Sequence, residues 1–446
     1  LVEIGAAIAT SPGGTLSATL TEWSVQKRGY ELFSRDDVTH GSVMEPHIEA
    51  TCETLREPGE YVVIEDTSSV HFVTHLSMKD MGWVDSGQQG LHVHSALAMR
   101  VEGWQEDGTP SVSIIGLAGQ QVWSRVGKPK NRGEKRGQRR HRPRESQRWA
   151  KVVTDTERPP EGVRRTFVAD RESDIFEVFV RCQSEGWDYI VRSKEPRSLF
   201  DEKGSIRDAV ARADLLGTKC IRLRAVSATL GRKAMPARDA TLEVRSVMVT
   251  VKCPVDRRPQ LAPVTMNIVE VREVGALAGV DPLHWILLTT WECASLDAAW
   301  RVVQAYGARW IIEEFHKALK TGTGIEKAQL STRHAIEALL GVLSIVAVRL
   351  TNLKLLAKVQ PDAPLPEDAL GPEYVEIIEA RYGKPTTGWT YASVLIAIAR
   401  LGGFLARKSD GMPGWITIWR GWTRMEAMVE GANLVRRNRR HVKRSG

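Results

Sequence analysis

The sequence lacks any CxxC pair and any local cluster of cysteine with histidine. Its five cysteines, Cys52, Cys182, Cys220, Cys253 and Cys293, are odd in number and far apart. Such a set excludes a disulfide framework, gives no support to a zinc site and fits a reducing cytoplasm. Each thiol reads as a small core or surface residue rather than a reactive group. Also missing is any unbroken run of about eighteen apolar residues, so no membrane span is expected, and no secretory leader is visible. No internal repeat occurs. Nor does the sequence open on Met: Leu1 implies a non-standard start read literally, or an N-terminus that lies upstream.

What is present is length and positive charge. A chain of 446 residues has ample core for about two or three domains. The net charge of +8 is unevenly placed. Residues 125–148 hold eleven Lys and Arg against Glu134 and Glu145, and residues 436–444 hold six with no acid. These two stretches exceed the charge of the whole chain, so the rest is acidic. Positive charge concentrated in two segments, the first with no apolar residue over 127–144 to anchor a core, points to a polyanion such as nucleic acid; a solubilising loop and tail is the plainer alternative.

Periodicity predicts helices over residues 21–33 and 43–55. Strands follow at 60–69, with Asp66 near the C-terminal end, and at 91–101 and 111–117, with a turn at 108–110. Short connections make these three an antiparallel meander. A strand at 165–170 ends in Asp170, a helix covers 172–185, and another strand covers 187–193. From 195 to about 282 short alternating segments read as a β-rich insertion. The strand 284–290 closes it. Helices are then expected at 332–359, 389–405 and 415–434, with a linker-like break at 361–366. Trp415, Trp419 and Trp422, at spacings of four and three, read as a core or dimer contact.

Between these lies YGARWIIEEFHKALK, residues 306–320, with no proline and no glycine after Gly307. It reads as one helix. Tyr306, Arg309, Glu313, Lys317 and Lys320 are spaced by three or four residues and fall on one stripe. One carboxylate among cations and a phenol can hold a metal ion and a phosphodiester together, the acid on the metal and the cations on phosphate oxygens. A solvated helix laced with ion pairs has the same pattern. Glu314 lies off the stripe.

Asp66 and Asp170 end strands, and Glu313 projects from a later helix. Acids at adjacent strand ends, joined by one from a helix, can hold two divalent ions for in-line phosphoryl transfer. The order of strands and helices suits a ribonuclease-H-like sheet. Helix and turn capping would also explain both aspartates.

The segments YVVIEDTSS, VADRESDI, VRSKEPR, HWILLTT and YGARWIIEEFHKALKTGTG resemble those of bacterial DDE transposases of the insertion-sequence-four group, closest to the Tn-five type. The family signature Tyr-x2-Arg-x3-Glu-x6-Lys is met by Tyr306, Arg309, Glu313 and Lys320. The likeness runs from near Leu1 to about Leu434 and includes RLGGF at 400–404.

The resemblance implies an α/β fold: a ribonuclease-H-like catalytic core over 56–194 and 285–360, with a β-rich insertion at 195–284. Helical regions would flank it, a DNA-binding one at 1–55, truncated by about thirty residues relative to the family, and a dimerisation one with a basic tail at 361–446. Asp66, Asp170 and Glu313 would bind two Mg²⁺ ions, with Mn²⁺ able to substitute. Tyr306, Arg309 and Lys320 would hold DNA phosphates, helped by Lys317 and Arg192, and Trp285 would stack a flipped base. The implied activity is cut-and-paste transposition: nicking, hairpin formation, hairpin opening and strand transfer. The implied partners are double-stranded DNA, both inverted element ends and target, and a second copy of the chain, at the nucleoid of a bacterial cytoplasm. Two alternatives are a truncated or inactive copy that regulates by binding DNA or dimerising, and a general nuclease of the same fold.

Overall fold

The computed structural model describes residues 4, 20 and 23–442, apart from 73–77, 79, 85–86, 126–144, 224, 226–234, 256–260, 277–278, 368 and 408–409. Most of the basic stretch 125–148 and the end of the basic tail therefore lie outside the described residues. At the base of that stretch Arg125 Nε donates to Glu145 Oε1 at 2.7 Å.

Two helices open the described chain, α1 (Trp23–Phe33) and α2 (His40–Thr54). Thr39 starts α2 with a reciprocal capping box to Ser42, which satisfies two otherwise orphaned amides. Strands β1 (Gly59–His71), β2 (Gly90–Trp104) and β3 (Pro110–Trp123) then form the expected meander. All three are longer than the sequence suggests, because polar residues such as Thr67 and Ser69 continue the ladder beyond the apolar run.

After α3 (Lys151–Asp155), β4 (Val163–Ala169) returns beside β1 in parallel. Helix α4 (Phe176–Ser184) leads to β5 (Asp188–Arg192), parallel to β4. Then come α5 (Ile206–Arg212) and the strands β6 (Leu215–Leu223), β7 (Arg238–Val251), β8 (Val264–Val274) and β9 (His284–Thr289). The sheet has nine strands in the order β3-β2-β1-β4-β5-β9-β8-β7-β6. The first five give the ribonuclease-H-like arrangement. The strands of the insertion continue the same sheet, since β9 pairs antiparallel with both β5 and β8. Sequence periodicity could not show that, because it carries no information on which edge a strand joins.

β1 is buried on both faces from Tyr61 to Ile64, as a central strand should be. Val62, Ile64, Val168, Ile190 and Leu287 face one apolar core. Tyr61, Val63, Phe167, Tyr189 and Val191 face another, with Phe179 and Trp187. Covering the first core are α6 (Leu296–Gly307), α7 (Trp310–Lys317) and α8 (Arg333–Val359). By length and composition α8 is apolar enough to cross a bilayer, although charged residues interrupt its apolar run; here most of it is buried in protein.

Three helices finish the described residues: α9 (Pro372–Tyr382), α10 (Tyr391–Leu401) and α11 (Trp415–Val442). Helix α9 is not among those expected from sequence, although Pro372 at its first turn is a helix-start signal. The helix expected to reach residue 405 stops at Leu401, where Gly402 and Gly403 follow, the latter at φ +94°. Helices α10 and α11 cross at Gly402 and Gly421. A Cβ on Gly421 would lie 1.7 Å from the carbonyl oxygen of Ile398, so only glycine permits this approach.

Candidate active site

The register between β1 and β4 ends with Glu65 opposite Ala169. The next residues are Asp66 and Asp170, so the two acids sit side by side where β4 stops. Alternation along the strands sends both toward the core under α6 and α7. Asp66 is not at the end of its own strand, as expected from sequence; β1 runs on against β2, where Asp66 pairs with Ser95. Asp170 also does what the plainer reading foresaw. Its Oδ1 accepts from Glu172 N at 2.8 Å and caps a short 3₁₀ turn, Arg171–Ser173.

The helix expected over 306–320 is three pieces. Tyr306 belongs to the end of α6, the chain breaks step at Ala308 and Arg309, and α7 begins at Trp310. After Lys317 the chain widens into a π turn, Ala318–Gly322. Arg309, Glu313 and Lys320 nevertheless reach one place. Arg309 Nη1 lies 3.4 Å from Glu313 Oε1 and 4.0 Å from Asp66 Oδ2. Lys320 is half-buried and feels the charges of Glu313 and Asp66, and burial pushes its ammonium below the usual lysine range. The Tyr306 hydroxyl is hydrogen-bonded to Arg309, and burial raises the phenol.

Lys317 departs from the stripe. Its Nζ donates to Glu314 Oε1 at 3.0 Å, turned away from Asp66 and Asp170. Arg192, at the end of β5, donates to the carbonyl of His284 at 3.3 Å and lies close enough to Tyr306 to influence its phenol. Trp285 on β9 is half-buried, its ring edge-on to Tyr306 with centroids 5.2 Å apart.

One neighbour was missed. His316 is buried, with Nδ1 3.7 Å from Asp66 Oδ2 and Nε2 without a hydrogen-bond partner. Burial, with Lys320 nearby, holds its imidazole down at about 3, so it is neutral at pH 7. Its signal was the i, i+3 spacing from Glu313, which puts it on the same helix face.

A transposase DDE domain matches residues 142–349, and a transposase Tn5 dimerisation domain matches residues 372–441. The chain belongs to the DDE transposases of the Tn5-like type. Asp170, Glu313 and the Tyr306–Lys320 segment lie within the first match; Asp66 lies before it. The dimerisation match covers α9, α10 and most of α11; together the two matches support dimer formation and a DNA substrate.

DDE transposases work with divalent metal ions, and the donors in this transposase suit one. Carboxylates are hard oxygen ligands of the kind Mg²⁺ and Mn²⁺ prefer. Burial, then the charge of Glu313, pushes Asp66 up to about 7. An acid so placed remains charged at neutral pH only with a cation beside it. Arg309 supplies one, and it stands between two of the acids. Among the described residues no three His, Cys, Asp or Glu side chains are close enough to grip a single ion together. The guanidinium of Arg309 thus stands between Asp66 and Glu313, and these acids and Asp170 would have to draw in to share a metal. Burial opposes the charge of Arg309, but Tyr306, Asp66, Glu313 and Asp170 outweigh it and raise its affinity for the proton.

Proposed function

We propose that this transposase cuts and pastes DNA, with Asp66, Asp170 and Glu313 holding two Mg²⁺ ions, replaceable by Mn²⁺, at one site that serves every step. The observation that supports it most is the meeting of Asp66, Arg309 and Glu313, from segments more than two hundred residues apart in sequence, within salt-bridge reach. The ions would supply charge stabilisation for in-line displacement at phosphorus and a more reactive attacking oxygen. The core is read as 56–194 with 285–360, the insertion as 195–284, and the C-terminal dimerisation region as 361–446.

The chain's own residues orient the DNA. Arg309 and Lys320 bind phosphate oxygens at the element end, Tyr306 adds a hydroxyl, and Arg192 helps from the end of β5. When the strand folds back into a hairpin, one base leaves the stack and rests on Trp285, held square by the Tyr306 edge. Nicking frees a 3′-hydroxyl, which attacks the opposite strand to close the hairpin; water reopens it, and the 3′-hydroxyl attacks target DNA. Lys317, already engaged by Glu314, braces the helix and leaves phosphate binding to its neighbours. A purely regulatory copy is not favoured, since all three acids and the cation row are present.

The test is cleavage by purified protein with Mg²⁺ on labelled DNA bearing the inverted repeats that flank the gene. Release of the element through a hairpin intermediate is expected. Glu313→Ala should stop cutting while end-DNA binding persists. Tight binding of the correct ends without cleavage, metal present, would sink the proposal.

A further inference from the structure

Glu314 follows the triad glutamate directly and points the other way. Its carboxylate accepts from three parts of the chain. Lys317 Nζ donates at 3.0 Å from the same helix, and Trp415 Nε1 donates at 2.7 Å from the first residue of α11. Lys354 Nζ donates from α8 and also lies 4.5 Å from the centre of the Trp415 ring. The carboxylate is partly buried, which strengthens such charge-assisted bonds. Glu314 lies within the DDE match, Trp415 within the dimerisation match, and Lys354 in the stretch between them. One carboxylate therefore ties the two together.

The helix so fastened is short. α7 has eight residues, with a break before it and the π turn after it. A helix of that length does not hold its own orientation. Ile312 and Phe315 anchor one side in the core. The π turn is seated on α11 as well, since a Cβ on Gly322 would lie 1.8 Å from Trp419.

We infer that Glu314 is a positioning residue whose three donors set the roll of α7, aim Glu313 at the two aspartates, and pass the placement of the dimerisation region to the triad. The inference rests on the catalytic role proposed for Glu313. When α11 is correctly seated, Trp415 and Lys354 hold Glu314; when it shifts, Glu313 turns away from Asp66 and the grip on metal weakens.

The experiment uses the full chain with Trp415→Phe, which keeps a ring and removes the N–H, and with Glu314→Gln. Three quantities are measured: cleavage of end DNA against Mg²⁺ concentration, the rise in Tm on adding Mg²⁺, and end-DNA affinity. Each variant should bind ends like the parent. Each should cut about tenfold more slowly at low Mg²⁺, need more Mg²⁺ for half-maximal rate, gain less Tm from Mg²⁺, and recover at high Mg²⁺. The double variant should be no worse than the weaker single, since both break one node. Unchanged half-saturation and unchanged Mg²⁺-induced Tm gain in Trp415→Phe would overturn the inference, even if Glu314→Gln fails to fold. Glu313→Gln separates the two readings. If it still cuts, the catalytic role of Glu313 falls; if it is dead while the other variants behave as the parent, only the bracing by Glu314 falls.

Discussion

Consecutive residues on β1 carry acids to opposite faces of the sheet. Glu65 is buried to 1 % exposure and accepts from His94 Nε2 at 3.0 Å and from the Ala150 amide at 2.9 Å. His94 is held in turn by the Thr67 hydroxyl at 2.8 Å. Ala150 adopts a left-handed φ of 58°, a cost accepted where Glu65 takes its amide. Asp66, on the other face, has a guanidinium at 4.0 Å, a neutral imidazole at 3.7 Å and two further acids close enough to raise its pKa. One acid is answered by hydrogen bonds and fastens structure. The other is left short of positive charge, the condition in which a carboxylate binds a metal.

The largest effect that could break this contrast is on chemistry. Asp66→Asn, Asp170→Asn and Glu313→Gln should each lower cleavage roughly a thousandfold or more, since each removes part of a charge stabilisation worth several kcal/mol. Thermal melting without metal should show Asp66→Asn no less stable than the parent. A marked loss of stability would make Asp66 a structural acid like its neighbour. Glu65→Ala should do the reverse. Breaking the buried pair with His94 should cost about 3–5 kcal/mol, while the Tm gain on adding Mg²⁺ survives in the folded fraction.

Trp285→Ala should slow hairpin closure by roughly tenfold to a hundredfold, the loss of about 1–3 kcal/mol of base stacking, and leave the first nick unchanged; gel separation of nicked and hairpin products reads both. Acidity offers a smaller test. Asp66, raised from 3.8 to about 7, stabilises the fold fully below pH 3.8 and loses that contribution as pH rises toward 7. His316, lowered from 6.5 to about 3, contributes fully above pH 6.5 and loses its share as pH falls toward 3. The two oppose one another in mild acid, so the stability advantage of Asp66→Asn over the parent should grow with pH up to about 7, measured by urea titration without metal. The smallest effect concerns the cation row. Lys320→Ala should reduce the salt dependence of end binding by about 0.9, whereas Lys317→Ala should leave it nearly unchanged.

The strands bearing Asp66 and Asp170 were legible from their apolar, β-branched runs, although β1 continues past Asp66 to His71. The meander was legible from its turns. The break at Ala308 and the π turn were not, since neither requires glycine or proline at the point of departure; both depend on what the helix packs against. The partner of Lys317 depends on Lys354 and Trp415, distant in sequence, so local spacing put Lys317 on the Glu313 stripe whereas it pairs with Glu314. The tryptophan pattern on α11 gave burial but not its destination beside Glu314. The return of the insertion to its parent sheet was hidden for the same reason, because edge pairing is decided by tertiary packing.

Asp66 and Asp170 are the first residues beyond the paired stretch of β1 and β4. Neighbouring strands lie about 4.8 Å apart, so the two aspartates form a jaw whose width is set by the peptide ladder and barely varies. The opposing jaw is a glutamate on a short helix that can roll. On the proposed roles, a DNA end would meet a vice with one fixed side, and whatever turns the other side would decide when it bites.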